Sequence, residues 1–275
     1  MNDIRIDGGV KTKGLLKSSS PDLPLVSIIT VVLNGAAHLE QAIRSVLDQD
    51  YPNLEYIIID GGSKDGTLDI IRKYESQIDY WLSEPDRGIS DAFNKGITRC
   101  SGELIGTINA DDNYLPGVIT LVAAAHRAGP ARIIHGGMIG VWGEETMRIA
   151  ARPWPRMYWY FDTPYYHPAS FVPRIVYERL GAYDIDYHYA MDYEFFLRAN
   201  LTGISFHRVQ GELARYSFGG RSGSNPLAAY REVFRAQRRH GLSLPLCAAM
   251  FCLKFFINRS KWLYKTFVKQ TGIYR

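Results

Sequence analysis

Asn109-Ala110-Asp111-Asp112 holds the residues of this chain best suited to chemistry. A short apolar run (Leu104, Ile105, Gly106, Ile108) leads into two adjacent carboxylates, and Asn113-Tyr114-Leu115-Pro116 follows. Burying unpaired carboxylates in a packed strand is costly. The pattern therefore reads as a buried strand ending at the open carboxyl edge of a sheet, where α/β folds bind ligands. Two hard oxygen ligands there suit a divalent metal that also holds phosphate oxygens. A solvated Asn/Asp turn accounts for the same residues without chemistry.

Two further acidic stations come earlier. Asp60 opens Asp60-Gly61-Gly62-Ser63 after one apolar run, and Glu84 and Asp86 follow another. In a parallel sheet all three stations share one rim, which suits a metal–nucleotide complex better than bare phosphate. Asp60 could accept a hydrogen bond from a base or ribose, and Gly61 and Gly62 allow close approach to the backbone. An ordinary turn and helix cap is the plainer alternative. No Gly-x-Gly-x-x-Gly opens the helix, so this is not a dinucleotide fingerprint. Asp192, in Tyr189-Ala190-Met191-Asp192-Tyr193-Glu194, is a candidate general base, with a plain N-cap as the alternative. His167, in Tyr166-His167-Pro168, could touch phosphate or metal, or be a buried structural histidine. Arg221 lies in Gly219-Gly220-Arg221-Ser222-Gly223-Ser224. Such a loop could close over a diphosphate, or be a surface loop with no role.

The elements that must position these residues alternate. Strands are expected over Val26–Leu33, Leu54–Ile59, Ile78–Leu82 and Leu104–Ile108. Helices are expected over His38–Leu47, from Asp65-Gly66-Thr67 to Tyr74, from a Ser90 cap to Arg99, and from Pro116 to Ala128. That alternation argues a mostly parallel sheet of βαβ units. The second half is less regular. Strands are expected over Arg132–His135 and Gly137–Trp142, one or two more over Ile204–Tyr216, and helices over Asp192–Asn200 and Ala228–His240. Residues 1–24 read as a flexible polar leader, 25–225 as the α/β domain (25–115 for a nucleotide, 116–225 for an acceptor) and 226–275 as a basic amphipathic helical segment.

Bulk properties exclude several classes. The 275 residues carry a net charge of +4, too little to argue for nucleic acid. Three cysteines give neither a disulfide framework nor zinc spacing, which fits a reducing, cytoplasmic setting. No apolar segment reaches the ~18 residues that spanning a bilayer needs, and no signal-peptide core precedes the domain. From Gly241 to Arg275 there is no acid, whereas Lys254, Arg259, Lys261, Lys265, Lys269 and Arg275 are basic among aromatics. That tail either packs on the domain or lies peripherally on an anionic membrane.

Val26-Ser27-Ile28-Ile29-Thr30, Asp60-Gly61-Gly62-Ser63-Lys64-Asp65-Gly66-Thr67, Asn94-Lys95-Gly96-Ile97, Gly102-Glu103-Leu104-Ile105 and Asn109-Ala110-Asp111-Asp112 occur in that order. Together they resemble family 2 of the inverting glycosyltransferases over roughly residues 26–200. Ser83-Glu84-Pro85-Asp86-Arg87-Gly88-Ile89-Ser90-Asp91-Ala92 is similar to the branch that builds bacterial surface polysaccharides. The resemblance implies a GT-A-type fold and a nucleoside-diphosphate-sugar donor, with UDP expected. It implies a saccharide or lipid-linked saccharide acceptor. Asp60 would contact the base, and Asp111 and Asp112 would hold ribose and a Mn2+ or Mg2+ ion. Asn34, Asp86, Asp91 and Asn109 join the donor-binding set, His167 and Arg221 would line the pyrophosphate, and Asp192 falls at the catalytic base.

The chain departs from the family pattern at two stations. Many members carry a second acid where this chain has Gly61, and Asp-x-Asp where it has Asn109. No Gln-x-x-Arg-Trp stretch is present, which argues against a processive synthase. Two alternatives stand beside the transferase. A nucleotidyltransferase would need a basic loop where the chain has Asn34-Gly35-Ala36-Ala37-His38, and a non-catalytic sugar-nucleotide-binding subunit is kept open by Gly61 and Asn109.

Overall fold

The computed structural model describes residues 5–129, 131–152, 156–160, 163–218 and 225–256. Four parallel strands form the centre of one mixed sheet: β2 (Val26–Val32), β3 (Leu54–Asp60), β4 (Tyr80–Ser83) and β5 (Leu104–Asn109). Every residue of β2 is buried, as expected where both faces of a parallel sheet are covered. Its alternate residues serve two cores. Val26, Ile28 and Val32 pack with Leu39 and Ile43 of α1 (Leu39–Leu47), and Ile29 and Val31 pack with Ala92 and Phe93 of α3 (Ile89–Ile97).

Helices α2 (Thr67–Lys73) and α4 (Val118–Arg127) complete the first half. Beyond β5 the sheet continues through β9 (Ser170–Pro173), antiparallel to both β5 and β7 (Ile133–Trp142). Strand β10 (Phe206–Ser217) then runs parallel to β7, and β6 (Asn113–Tyr114) pairs antiparallel to β10. Strand β8 (Glu145–Ile149) folds back on β7 as a hairpin. Helices α5 (Arg174–Leu180), α6 (Met191–Leu201) and α7 (Pro226–Arg239) pack outside, and residues 244–256 are also helical.

Two local expectations change, and one open alternative resolves. The two strands expected over 132–142 are one, and Gly136 lies within β7, where a Cβ would meet the Leu213 side chain. The Ile204–Tyr216 segment is likewise a single strand, with register shifts between Arg208 and Ala214 around Gly211 at φ 101°, the signature of a bulge. Ser90 does not cap α3. Gly88 does, and the Ser90 hydroxyl donates instead to the Tyr187 carbonyl at 2.5 Å.

The expected flexible leader is the largest difference. Residues 6–8 form β1 (Ile6–Gly8), which pairs antiparallel with β4 at the sheet edge. Lys11 Nζ donates to Glu55 Oε1 at 2.8 Å, to the Arg99 carbonyl at 2.8 Å and to Ser101 Oγ at 2.9 Å. Lys17 Nζ reaches Asp79 Oδ2 at 2.9 Å. Glu55 and Asp79 are each 1% exposed, so the leader supplies cations that two buried carboxylates require.

Candidate active site

A 360 Å³ cleft opens where β2 and β5 end. Asp111 lines it, half-buried, and its backbone carbonyl accepts from Ser217 Oγ at 2.7 Å. Asp112 does not share that position. It is fully buried, Oδ1 accepting from the Ser217 amide at 2.9 Å and Oδ2 from Asn109 Nδ2 at 3.1 Å. Burial, and then the Asp111 charge, push its carboxyl up to about 8. Of the two candidate metal ligands, Asp111 lines the cleft, whereas Asp112 fastens the end of β5 to the end of β10.

Asn109 reaches from Asp112 to His167, its Nδ2 standing 3.4 Å from His167 Nε2. The His167 imidazole is buried against Phe93, edge-on at 5.4 Å, with Thr107 Oγ1 3.5 Å from Nδ1. Desolvation lowers it to about 4, so it is neutral at pH 7 and offers hydrogen bonding rather than charge to a phosphate. It does line the cleft.

The first acidic station differs from expectation. Asp60 is 0% exposed and does not line the cleft. Its carboxylate accepts from the Gly62 amide at 3.2 Å, the Ser63 amide at 3.1 Å, the Ser63 hydroxyl and Ser83 Oγ at 2.6 Å. Asn34 lines the cleft in a left-handed conformation, φ 52°, which asparagine tolerates. Its Oδ1 accepts from the Lys64 amide at 2.9 Å, and its own amide donates to Ser63 Oγ at 2.7 Å. Asp60 and Asn34 therefore fold the 61–64 loop from both sides. Asp86 also lines the cleft and accepts from the Gly88 amide at 2.8 Å. A Cβ at Gly61 would overlap Asp86 Oδ2, so the carboxylate of the next loop occupies the space that a side chain at 61 would need. Asp91 does not line the cleft. It accepts from the Arg87 amide at 3.0 Å and lies 3.5 Å from Lys95 Nζ. Arg221 lies outside the described residues.

Asp192 stands in the first turn of α6, lines the cleft, and accepts from the Tyr193 amide at 2.7 Å. The N-cap is Ala190, so Asp192 is not the cap. The turn before it is clamped from α7, where the Glu232 carboxylate accepts from the amides of His188, Tyr189 and Ala190 at 3.0, 2.7 and 2.9 Å. Asn94 of α3 holds Tyr183 by a two-way pair, at 2.7 and 2.9 Å. Removing Glu232 leaves those amides unsatisfied at a cost of about 1–3 kcal/mol. Glu232→Ala should therefore lower the melting temperature by loosening the turn ahead of Asp192. Differential scanning calorimetry checks this, and an unchanged melting temperature would remove the clamping role.

Several cleft residues lie outside the set expected from sequence, among them Tyr166, His188, Tyr189, Tyr216 and Ser217. The Tyr216 hydroxyl is pushed well up, first by burial and then by the charges of Asp112, Asp192 and Asp111. The available signal was that β10 had to end on the same rim as β5. Among the described residues no three His, Cys, Asp or Glu side chains cluster closely enough to hold a metal by themselves.

The fold matches solved nucleotide-sugar enzymes. S. aureus TarS 1–349 in complex with UDP-GlcNAc aligns with a TM-score of 0.62 at 17% identity, over 82% of this chain and 70% of that one. Against a longer TarS structure the chain spans 43% of the length. The mannosyltransferase PcManGT of Pyrobaculum calidifontis, in complex with GDP-Man and Mn2+, aligns with a TM-score of 0.60 at 18% identity, over 94% and 86%. The fold is thus of the GT-A type. The sequence model of Glycosyl transferase family 2 matches residues 27–177. An uncharacterized glycosyltransferase of Mycobacterium tuberculosis H37Rv is 33% identical over 247 residues, 78% of this chain and 94% of the relative. TuaG of Bacillus subtilis, named for teichuronic acid biosynthesis, is 38% identical over 94 residues, 33% of this chain and 37% of TuaG. The chain belongs to glycosyl transferase family 2.

Proposed function

We propose that this enzyme transfers one sugar, with inversion, from a UDP-sugar to an acceptor hydroxyl during synthesis of a bacterial surface polysaccharide. The observation that carries the reading is that Asp111 and Asp192, from different elements, line one cleft around Tyr216. Asp192 removes the acceptor proton. The freed oxygen bonds to the anomeric carbon as the bond to the diphosphate oxygen breaks, and a single displacement inverts the centre. Asn109, Asn34 and Asp86 line the donor side. The UDP-GlcNAc complex of TarS supports the nucleotide, and the teichuronic acid assignment of TuaG supports the pathway class.

Asp111 fits one divalent ion, Mn2+ or Mg2+, because such ions are commonly held by one or two carboxylates with the remaining positions taken by phosphate and water. When bound, the ion would offset the charge of the departing diphosphate. The resemblance gives Arg221 a share of the same task. The test is nucleoside-diphosphate release from UDP-, GDP- and dTDP-sugars with Mn2+, Mg2+ or EDTA. Metal-dependent release from a UDP-sugar is expected, and binding of none of these donors would overturn the reading.

We further propose a lipid-linked acceptor met at an anionic membrane surface. Among the described residues no helix is long and apolar enough to cross a membrane. The helix over 244–256 nevertheless exposes Leu244, Leu253, Phe255 and Phe256 while Cys247 faces the core. From Gly241 onward the sequence carries cations and no acid, which suits an anionic surface. Sedimentation with phosphatidylglycerol vesicles, and not with phosphatidylcholine vesicles, is expected. Leu253→Ser/Phe256→Ser should reduce it, and equal binding by that variant would refute this helix's part.

A further inference from the structure

A second cleft, of 240 Å³, adjoins the first, with Tyr166 lining both. It lies beside the β7–β8 hairpin. Arg148 of β8 is fastened to Glu212 of β10 by two hydrogen bonds of 2.9 Å each, which fixes that wall. Besides Tyr166, the tyrosines Tyr158 and Tyr165 line it together with Met138 and Met147. Its buried part carries polar groups. Ser170 is 3% exposed, and among the described residues its Oγ has no hydrogen-bond partner. His135, its register partner across β7 and β9, is 6% exposed and meets the Tyr165 ring edge-on at 4.6 Å.

A packing flaw would be small and dry. This space is far larger than a single water needs and keeps an unpaired hydroxyl at depth. Aromatic walls with a few fixed polar groups make a binding site rather than a void. A sugar ring matches that chemistry, with apolar C–H faces for the tyrosines and hydroxyls to pair with Ser170 and His135. A saccharide held here would run past Tyr166 into the cleft that contains Asp192.

We propose that this second cleft binds the saccharide part of the acceptor, an assignment that rests on the transferase reading above. Methionine methyl groups report the two clefts separately, since Met138 and Met147 line the second and Met191 the first. The experiment follows [13C-methyl]methionine resonances of the full chain. The probes are UDP and the methyl glycosides of glucose, galactose, N-acetylglucosamine and glucuronic acid. UDP is expected to move Met191, and at least one glycoside to move Met138 and Met147. Ser170→Ala removes a hydroxyl that has no partner among the described residues, so it should fold at least as stably. It should weaken the glycoside about fivefold, the worth of one hydrogen bond. Tyr158→Ala should weaken it about tenfold, and neither variant should change UDP affinity.

If UDP moves Met191 while no glycoside moves Met138 or Met147, the acceptor proposal is overturned and the donor site stands. Glycosides that move only Met191 overturn it equally, as does a Ser170→Ala variant that binds as tightly as the native chain. A Met191 resonance unmoved by UDP would instead strike the donor-site reading and take the acceptor assignment down with it.

Discussion

Asp192→Asn should lower kcat by about 10²- to 10⁴-fold, the range that a positioned general base supplies. The change keeps size and hydrogen-bonding reach but removes the proton acceptor. Donor affinity should hold, because the residues proposed for the donor, Asp111, Asn109, Asn34 and Asp86, lie on other elements of the cleft. Stability should fall by only about 0.3–1 kcal/mol, since the lost charge sits in the first turn of α6, where the helix dipole favours an anion. The decisive comparison sets single-turnover rates beside calorimetric titration with UDP. A fall in kcat with unchanged Kd supports the base. A parallel loss of both would mean that Asp192 holds the donor, and a rate within a few-fold of the native chain would leave the base unassigned. Glu232→Ala separates position from chemistry: it leaves the carboxylate in place but releases the turn that aims it.

Much of this was legible in the chain. The strands that lead to Asp60, Asp86 and Asp111 follow from apolar runs alternating with helical periodicity, because a parallel sheet buries both faces and leaves its polar residues at the rim. Residue type could not say which way adjacent carboxylates point. Asp111 and Asp112 are alike in sequence, yet one lines the cleft and the other is buried under Ser217, a residue 105 positions away. Asp60 reads as an exposed rim acid, but Ser63 and Ser83 turn it inward. Gly61 looks like the loss of an acid until Asp86 is found against it. Each of these outcomes depends on a contact between loops that no local pattern encodes. The same holds for the leader, whose polar composition resembles disorder because its partners, Glu55 and Asp79, lie 44 and 62 residues further along the chain.

Those partners set the largest stability effect expected here. Lys11→Met should destabilise the protein by about 3–5 kcal/mol, the usual consequence of removing one partner from a buried ion pair. The methionine keeps most of the aliphatic stem, so the loss isolates the charge. Glu55 cannot compensate through solvent, being 1% exposed. Burial alone would raise its carboxyl, but the Lys11 ammonium, the Ser101 amide and the Ser27 hydroxyl outweigh that and hold it below the usual range. A carboxyl whose folded pKa is depressed contributes stability above its unfolded pKa, about 4.3, and loses it as pH falls through the folded value. In Lys11→Met the main opposition to burial is gone, so the penalty of an ionised Glu55 appears at neutral pH and is relieved as the group protonates. The gap between native and variant in urea unfolding should thus be widest near pH 7 and narrow in acid. Lys11→Met/Glu55→Gln should recover much of the loss, because the uncompensated charge is then absent. Lys17, with its side chain 40% exposed, should matter less to Asp79 than Lys11 does to Glu55. A Lys11→Met loss below about 1 kcal/mol, or one that does not change with pH, would show that the leader rests on the sheet without neutralising it.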